Sequence, residues 1–249
     1  NIEILYGFHY SSSSNFDRYD RHLRRSNSIP VYAEWYYGPQ KWLMNNLKII
    51  SSNDSVLYDQ LVVTIAHQYF EESRITRNYN DNYRKIRKEN VNALSGNIDL
   101  TKNISPKNVL TYGAEMIHNY VISTGQEEHI QFNTFSEINS RYPNSKWSSY
   151  GLYINDNVGI TDKFSLQAGL RYSHYFLSAE FDTAFYPLSF NMTTLKNNAI
   201  NGSIGAVYSI NANSKILSNF STGYRAPNVD DVGKIFDSEP GSVVVPNTN

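Results

Sequence analysis

Cysteine is absent from the 249 residues, which excludes a disulfide framework and any thiolate metal site. That absence fits a reducing cytosol and equally an exported barrel that needs no covalent staple. Charge of one sign is missing too. The 22 basic residues face 23 acidic ones, a net of -1, so no basic field exists to draw in nucleic acid. Long apolar runs are also lacking: a stretch such as 61–66 is far shorter than the roughly 20 residues of a membrane-spanning helix. Low hydropathy leaves a membrane β-barrel open, because only alternate residues of its strands meet lipid.

Catalytic signatures are missing as well. No Gly-rich phosphate loop precedes a helix, no GxSxG occurs, and no serine stands beside a suitable base, so nothing supports an enzyme. The six histidines (His9, His22, His67, His118, His129, His174) lack HxxxH and HExxH spacing. They are expected at a rim or in a lumen, with no metal site and no cofactor. Asp230, Asp231, Asp237 and Glu239 lack the spacing of a calcium loop and read as solvated loop charge. The chain begins at Asn1 inside a strand-like pattern, without Met, a charged n-region or an apolar h-region. The expectation is an internal piece of a longer protein, with any export signal outside it.

What is present is aromatic and alternating. Tyrosine and phenylalanine are abundant, which favours strands and interfaces. Ile4, Tyr6, Phe8 and Tyr10 share one parity, as do Leu110, Tyr112, Ala114 and Met116. Tyr150, Leu152 and Ile154, then Phe164, Leu166, Ala168, Leu170 and Tyr172, repeat the rule. So do Ile200, Gly202, Ile204, Ala206, Tyr208 and Ile210. A two-residue period puts one face on an apolar medium and the other on a polar one. Residues 60–70 are apolar on both parities in places and leave their phase open.

The spacing between these segments carries more. Short turns are expected at 51–55, 103–108, 161–163 and 211–214, and long polar connections at 12–40, 74–90, 124–146 and 179–196. Short and long alternate across about nine strands. A soluble sandwich has no reason to keep that rule. A transmembrane barrel does, with brief turns on the periplasmic side and large loops outside. The fold class is therefore all-β: an antiparallel transmembrane β-barrel, here partial, about nine strands of a larger barrel. One position resists. Asp156 shares the parity of Leu152, Ile154, Val158 and Ile160, so a bulge or a local phase change is expected there.

Near the C-terminal end, an aromatic strand reaches Gly223 and meets Tyr224, Arg225, Ala226, Pro227 and Asn228. Proline cannot donate to a ladder, so the pairing stops there. This block, with Val244, Val245, Pro246 and Asn247 after it, resembles the seventh extracellular loop region of TonB-dependent outer-membrane receptors. Residues 32–40 and 170–174 are similar to such receptors too. The resemblance implies that residues 1–249 belong to a barrel of about 22 strands, with the N-terminal plug and the C-terminal strands lying outside this chain. It implies a bacterial outer-membrane location, a small nutrient ligand, surrounding outer-membrane lipid, and TonB as a partner through the missing N-terminal region. Arg225 is expected near the outer rim. Haem receptors of the family carry a histidine between the two boxes. Residues 228–245 contain none, which argues against haem by that route.

Trp35, Tyr36, Tyr37 and Arg225 are the candidate ligand-binding residues in extracellular loops. Trp35, Tyr36 and Tyr37 fit ligand stacking and an outer aromatic girdle equally well. Arg141 and Arg171 could attract an anionic chelate, although Arg171 reads better as a lumen residue paired to a carboxylate. Residues 84–88 read as a solvated basic loop, or as a contact for lipopolysaccharide phosphates. The function implied is TonB-coupled import of a ferric siderophore or similar chelate. Alternatives are a passive porin, a barrel adhesin and a surface glycan-binding protein.

Overall fold

Backbone pairing gathers the alternating segments into one antiparallel sheet. The structure is a computed structural model, describing residues 1–185, 188–233, 236–239 and 242–244. The elements in chain order are β1 (Ile2–Ser12), β2 (Phe16–Asp17), α1 (Tyr19–His22), β3 (Arg25–Ser26), β4 (Ile29–Pro30), β5 (Tyr32–Tyr37) and β6 (Lys41–Ser52). They continue with β7 (Gln60–Asn78), β8 (Tyr83–Ser105), β9 (Asn108–His129), β10 (Thr134–Glu137), β11 (Asn144–Gly159) and β12 (Phe164–Glu180). The last are β13 (Met192–Asn211), β14 (Ser214–Ser221), α2 (Val229–Gly233), β15 (Phe236–Glu239) and β16 (Ser242–Val244).

The long strands run in the order β1-β6-β7-β8-β9-β11-β12-β13-β14, nine in all, as the alternation predicts. The sheet is open, with β1 and β14 as its edges. Register keeps the apolar parity on one face from strand to strand. Ile4 opposes Ile49, Ile49 opposes Val63, and Val63 opposes Ile98. Ala114 follows against Ile98 and Leu152, and Tyr172 lies between Leu152 and Ile200. This settles the open phase of 60–70: Leu61, Val63, Ile65 and His67 share the outer face. That face is uncovered, with Ile200 71% and Phe220 72% exposed. In hydrocarbon, burying each such side chain stabilises the fold by roughly 1.5–3 kcal/mol.

The opposite face is polar. Arg171 meets Glu115 and donates to Ser173, and the Tyr153 hydroxyl meets Asp99. The lumen pairing expected for Arg171 is thus found. Gly151 gives the Arg171 guanidinium room to lie against the sheet.

Three expectations change. The stretches 74–90 and 124–146 are largely strand rather than loop: β7 and β8 leave only residues 79–82 between them, and β9 continues to His129. Their polarity on both faces misled, because a hairpin standing in water needs no apolar side while its ladder still satisfies the backbone. The first short turn is longer than expected, running from 53 to 59. At Asp156 there is neither bulge nor phase change. It opposes Ala168 and Leu110 in unbroken ladders, on the apolar face. It stands three residues from Gly159, where β11 ends, and the cost of a charge falls toward the interface.

Candidate ligand-binding mouth

The long-loop end of the sheet is built by strand overhang. β5 adds to the extension of β7, with Trp35 opposite Thr76, Tyr36 opposite Ile75 and Tyr37 opposite Arg74. Since Ile75 carries the parity of Ile65, Tyr36 is on the outer side while Trp35 and Tyr37 share the inner side. The connection reaches β6 through Gly38, whose φ is +101°. A Cβ there would stand 2.7 Å from the Ser14 carbonyl oxygen, so only glycine fits without strain.

Trp35 is buried and meets Tyr37 edge-on, with ring centroids 5.0 Å apart. Three guanidinium groups converge on this pair. The Arg18 carbon lies 5.2 Å from the Trp35 ring centre and 5.7 Å from that of Tyr37. Arg74 lies 5.4 Å and 5.0 Å from the same rings, and Arg21 lies 5.6 Å from Trp35. Arg74 also donates to the Tyr37 hydroxyl at 3.0 Å. Asp20 accepts two hydrogen bonds from Arg18, at 2.7 and 2.8 Å, and raises its pKa further. Arg74 Nε is buried without a hydrogen-bond partner among the described residues. A buried cationic donor without a partner leaves hydrogen-bonding capacity suited to an anion.

On the outer side, Glu34 holds Arg77 at 3.1 Å and Arg84 at 2.6 Å, and Arg84 reaches Glu128 at 3.0 Å. Arg84 and Lys88 are therefore strand residues of β8 engaged in ion pairs, not a solvated loop. Arg141 stacks on Tyr142, 4.8 Å from its ring centre. Burial pushes the Tyr142 hydroxyl up to about 12. A polar cavity of about 530 Å³ opens beside it, lined by Ser123, Gln126, Glu137, Asn144, Glu180 and Asp182.

The block at Arg225 has a different character. The Arg225 guanidinium meets Asp231 at 2.6 Å. Asp231 also accepts the Asn228 backbone N–H at 3.0 Å, while Asn228 Oδ1 accepts that of Asp231 at 2.9 Å. This reciprocal capping starts α2. The backbone N–H of Asn228, then Arg225, hold the Asp231 carboxyl below its ordinary value. Val229 and Val232 of α2 pack on Tyr175, Leu177 and Ala179 of β12 and on Phe181 just after it, with Ala226 at the margin. The loop thus turns from the rim onto the inner wall, and Tyr224 remains 40% exposed. Val245, Pro246 and Asn247 lie outside the described residues, as do the side chains of Asp237, Glu239 and Val244.

The structure does not bring Arg225 to Trp35 and Tyr37. Arg18, Arg21 and Arg74 escaped the sequence reading because they reach the aromatic pair from a loop and from a strand some 40 residues away. No local spacing announces such a meeting.

The family model described as TonB dependent receptor-like, beta-barrel, matches residues 4–249. No curated protein matches the chain. Among solved structures, the copper transporter OprC is similar over 80% of this chain and 32% of its own, with TM-score 0.68 and 13% identity. The siderophore receptor PiuA from Acinetobacter baumannii is similar over 78% of this chain and 34% of its own, with TM-score 0.60 and 12% identity. The ferric citrate transporter FecA is similar over 88% and 33%, with TM-score 0.59 and 12% identity. The chain thus spans about a third of each of these structures, and the likeness is one of fold.

Proposed function

Because this chain belongs to the TonB-dependent receptor β-barrel family, we propose that it is part of an outer-membrane receptor for an anionic metal chelate. The family consists of receptors and transporters. The chelate, such as a ferric siderophore, would be captured at the cell surface and moved inward by TonB-coupled transport. The coupling parts, a plug domain and its TonB-contacting segment, belong in this reading to the protein outside residues 1–249.

One observation carries the ligand class: Arg18, Arg21 and Arg74 converge on Trp35 and Tyr37. Chelates of this kind present carboxylate or catecholate oxygens on flat organic arms. A planar guanidinium matches those oxygens with paired N–H donors, and an aromatic face takes the arm. Arg18 is already engaged by Asp20, so Arg74, whose buried Nε has no hydrogen-bond partner among the described residues, is the guanidinium with donor capacity to spare. Below the mouth, Arg171, Glu115, Tyr153 and Asp99 line a polar wall suited to a hydrated cargo.

The test is binding of ferric citrate and of a ferric tris-catecholate to the full-length receptor, followed by tryptophan quenching. Saturable binding of at least one chelate is expected, weakened about tenfold or more in Arg74→Gln through loss of charge-assisted hydrogen bonds. Binding that is equal in the variant, or equal for a neutral oligosaccharide, would overturn this reading.

A further inference from the structure

The outer face carries a second cluster, above the apolar band. On β11, Tyr150, Ser148 and Lys146 succeed one another toward the long-loop end. Ile200, Asn198 and Lys196 do the same on β13. Both lysines are exposed: Lys146 stands two outward positions beyond Tyr150, and Lys196 two beyond Ile200, with Met192 two positions further out on the same face of β13. Register fixes them on the same face. Lys146 opposes Tyr120 and Ser178, Ser178 opposes Thr194, and Lys196 opposes Phe176. Two strand spacings separate them, about 10 Å across the sheet.

Their partners set them apart. Lys41 and Lys88, on the same face, both form ion pairs with Glu71, at 2.9 and 2.8 Å. Among the described residues, neither Lys146 nor Lys196 forms an ion pair. Lys146 Nζ sits 5.4 Å from the Tyr120 ring centre, and Lys196 Nζ sits 5.7 Å from that of Phe176. The hydroxyls of Ser178 and Thr194 share the face between them. Glu180, the carboxylate on this face of β12, stands one outward position beyond Ser178 and lines the polar cavity. Below Lys146, an apolar groove of about 520 Å³ runs over Gly96 and Ala114, between Ile65, Ile98, Met116, Tyr150, Leu152 and Tyr172.

We propose that Lys146 and Lys196, with Ser178 and Thr194 between them, form a site for the phosphorylated headgroup of a membrane lipid whose acyl chain lies in the groove below. Two unneutralised ammonium groups at headgroup level match a phosphomonoester in charge. The small residues Gly96 and Ala114 recess the wall where a chain would lie. Soluble anions have no use for such a groove, which is why the occupant is a lipid. The rings of Tyr120 and Phe176 lie beside the two ammonium groups and orient them without cancelling their charge, which stays available to the ligand.

The test uses the full-length receptor in nonionic detergent, titrated with phosphatidic acid and observed by native mass spectrometry. Phosphatidic acid is expected to be retained over phosphatidylcholine. Lys146→Gln and Lys196→Gln should each lower retention about fivefold, and the double variant about 25-fold. Lys102→Gln, at the other end of the barrel and paired with Asp59, should change nothing. A boiled-against-unboiled gel shift verifies that each variant is folded, and the double Lys→Arg variant should keep the lipid. Equal retention by the double Gln variant overturns the site. Equal retention of phosphatidylcholine reduces it to a chain groove, and complete displacement by inorganic phosphate reduces it to a free-anion site; either result overturns the proposal.

Discussion

Arg225 and Asp231 meet at 2.6 Å, through the same carboxylate oxygen that accepts the Asn228 backbone N–H. The pair ties Arg225, in the loop after β14, to Asp231 in the first turn of α2, and so aims the loop at the inner wall. The segment 225–231 therefore has a folding role: Arg225 holds the cap and Ala226 fits against the cluster on β12, while the β14 ladder has already ended at Ser221, before Pro227 is reached.

A pH dependence follows from that pair. The folded carboxyl of Asp231 titrates below its ordinary value of 3.8, so its contribution is fully present above that value. It is lost as pH falls through the lower, folded value. Carboxyl carbon shifts of labelled aspartate in the full-length receptor should report the depressed titration. Arg225→Ala should move it back toward 3.8, and an unmoved titration would mean that the ion pair is absent in solution.

Leu177 is fully buried beneath α2. Leu177→Ala is expected to cost about 2–5 kcal/mol of local packing. The barrel ladder does not depend on it, so the heat-dependent gel shift should persist while protease cuts residues 225–233 faster. A cleavage rate equal to that of the native receptor would show that α2 docks elsewhere.

Asp156 faces the apolar medium with Oδ1 buried and without a hydrogen-bond partner among the described residues. Replacing it by leucine should stabilise the folded barrel, by less than about 1 kcal/mol given its place near the strand end. The urea midpoint of the full-length receptor in phospholipid should rise slightly. A fall would mean that the carboxylate has a partner in the membrane.

How far the fold was legible can be judged from single residues. Leu152, Ile154, Leu170 and Tyr172 announce their face by parity alone, because a strand's side chains have no other period. Arg77 lies on the same β7 face as Ile65, yet its polarity read as loop. A strand that leaves the membrane keeps its hydrogen bonds and changes only its solvent. Trp35 was visible as a large aromatic in a polar stretch, whereas its company of Arg18, Arg21 and Arg74 was not.

The sequence by itself determined the number of long strands and their apolar face, because both rest on neighbours one or two residues apart. Only the tertiary structure decided that Trp35 and Tyr37 turn inward to meet three arginines and that Arg225 is held by Asp231. It alone left Lys146 and Lys196 without a carboxylate partner among the described residues. Those outcomes depend on register between strands and on where loops fold back. Register is set by the summed pairing of whole strands, which no local pattern encodes.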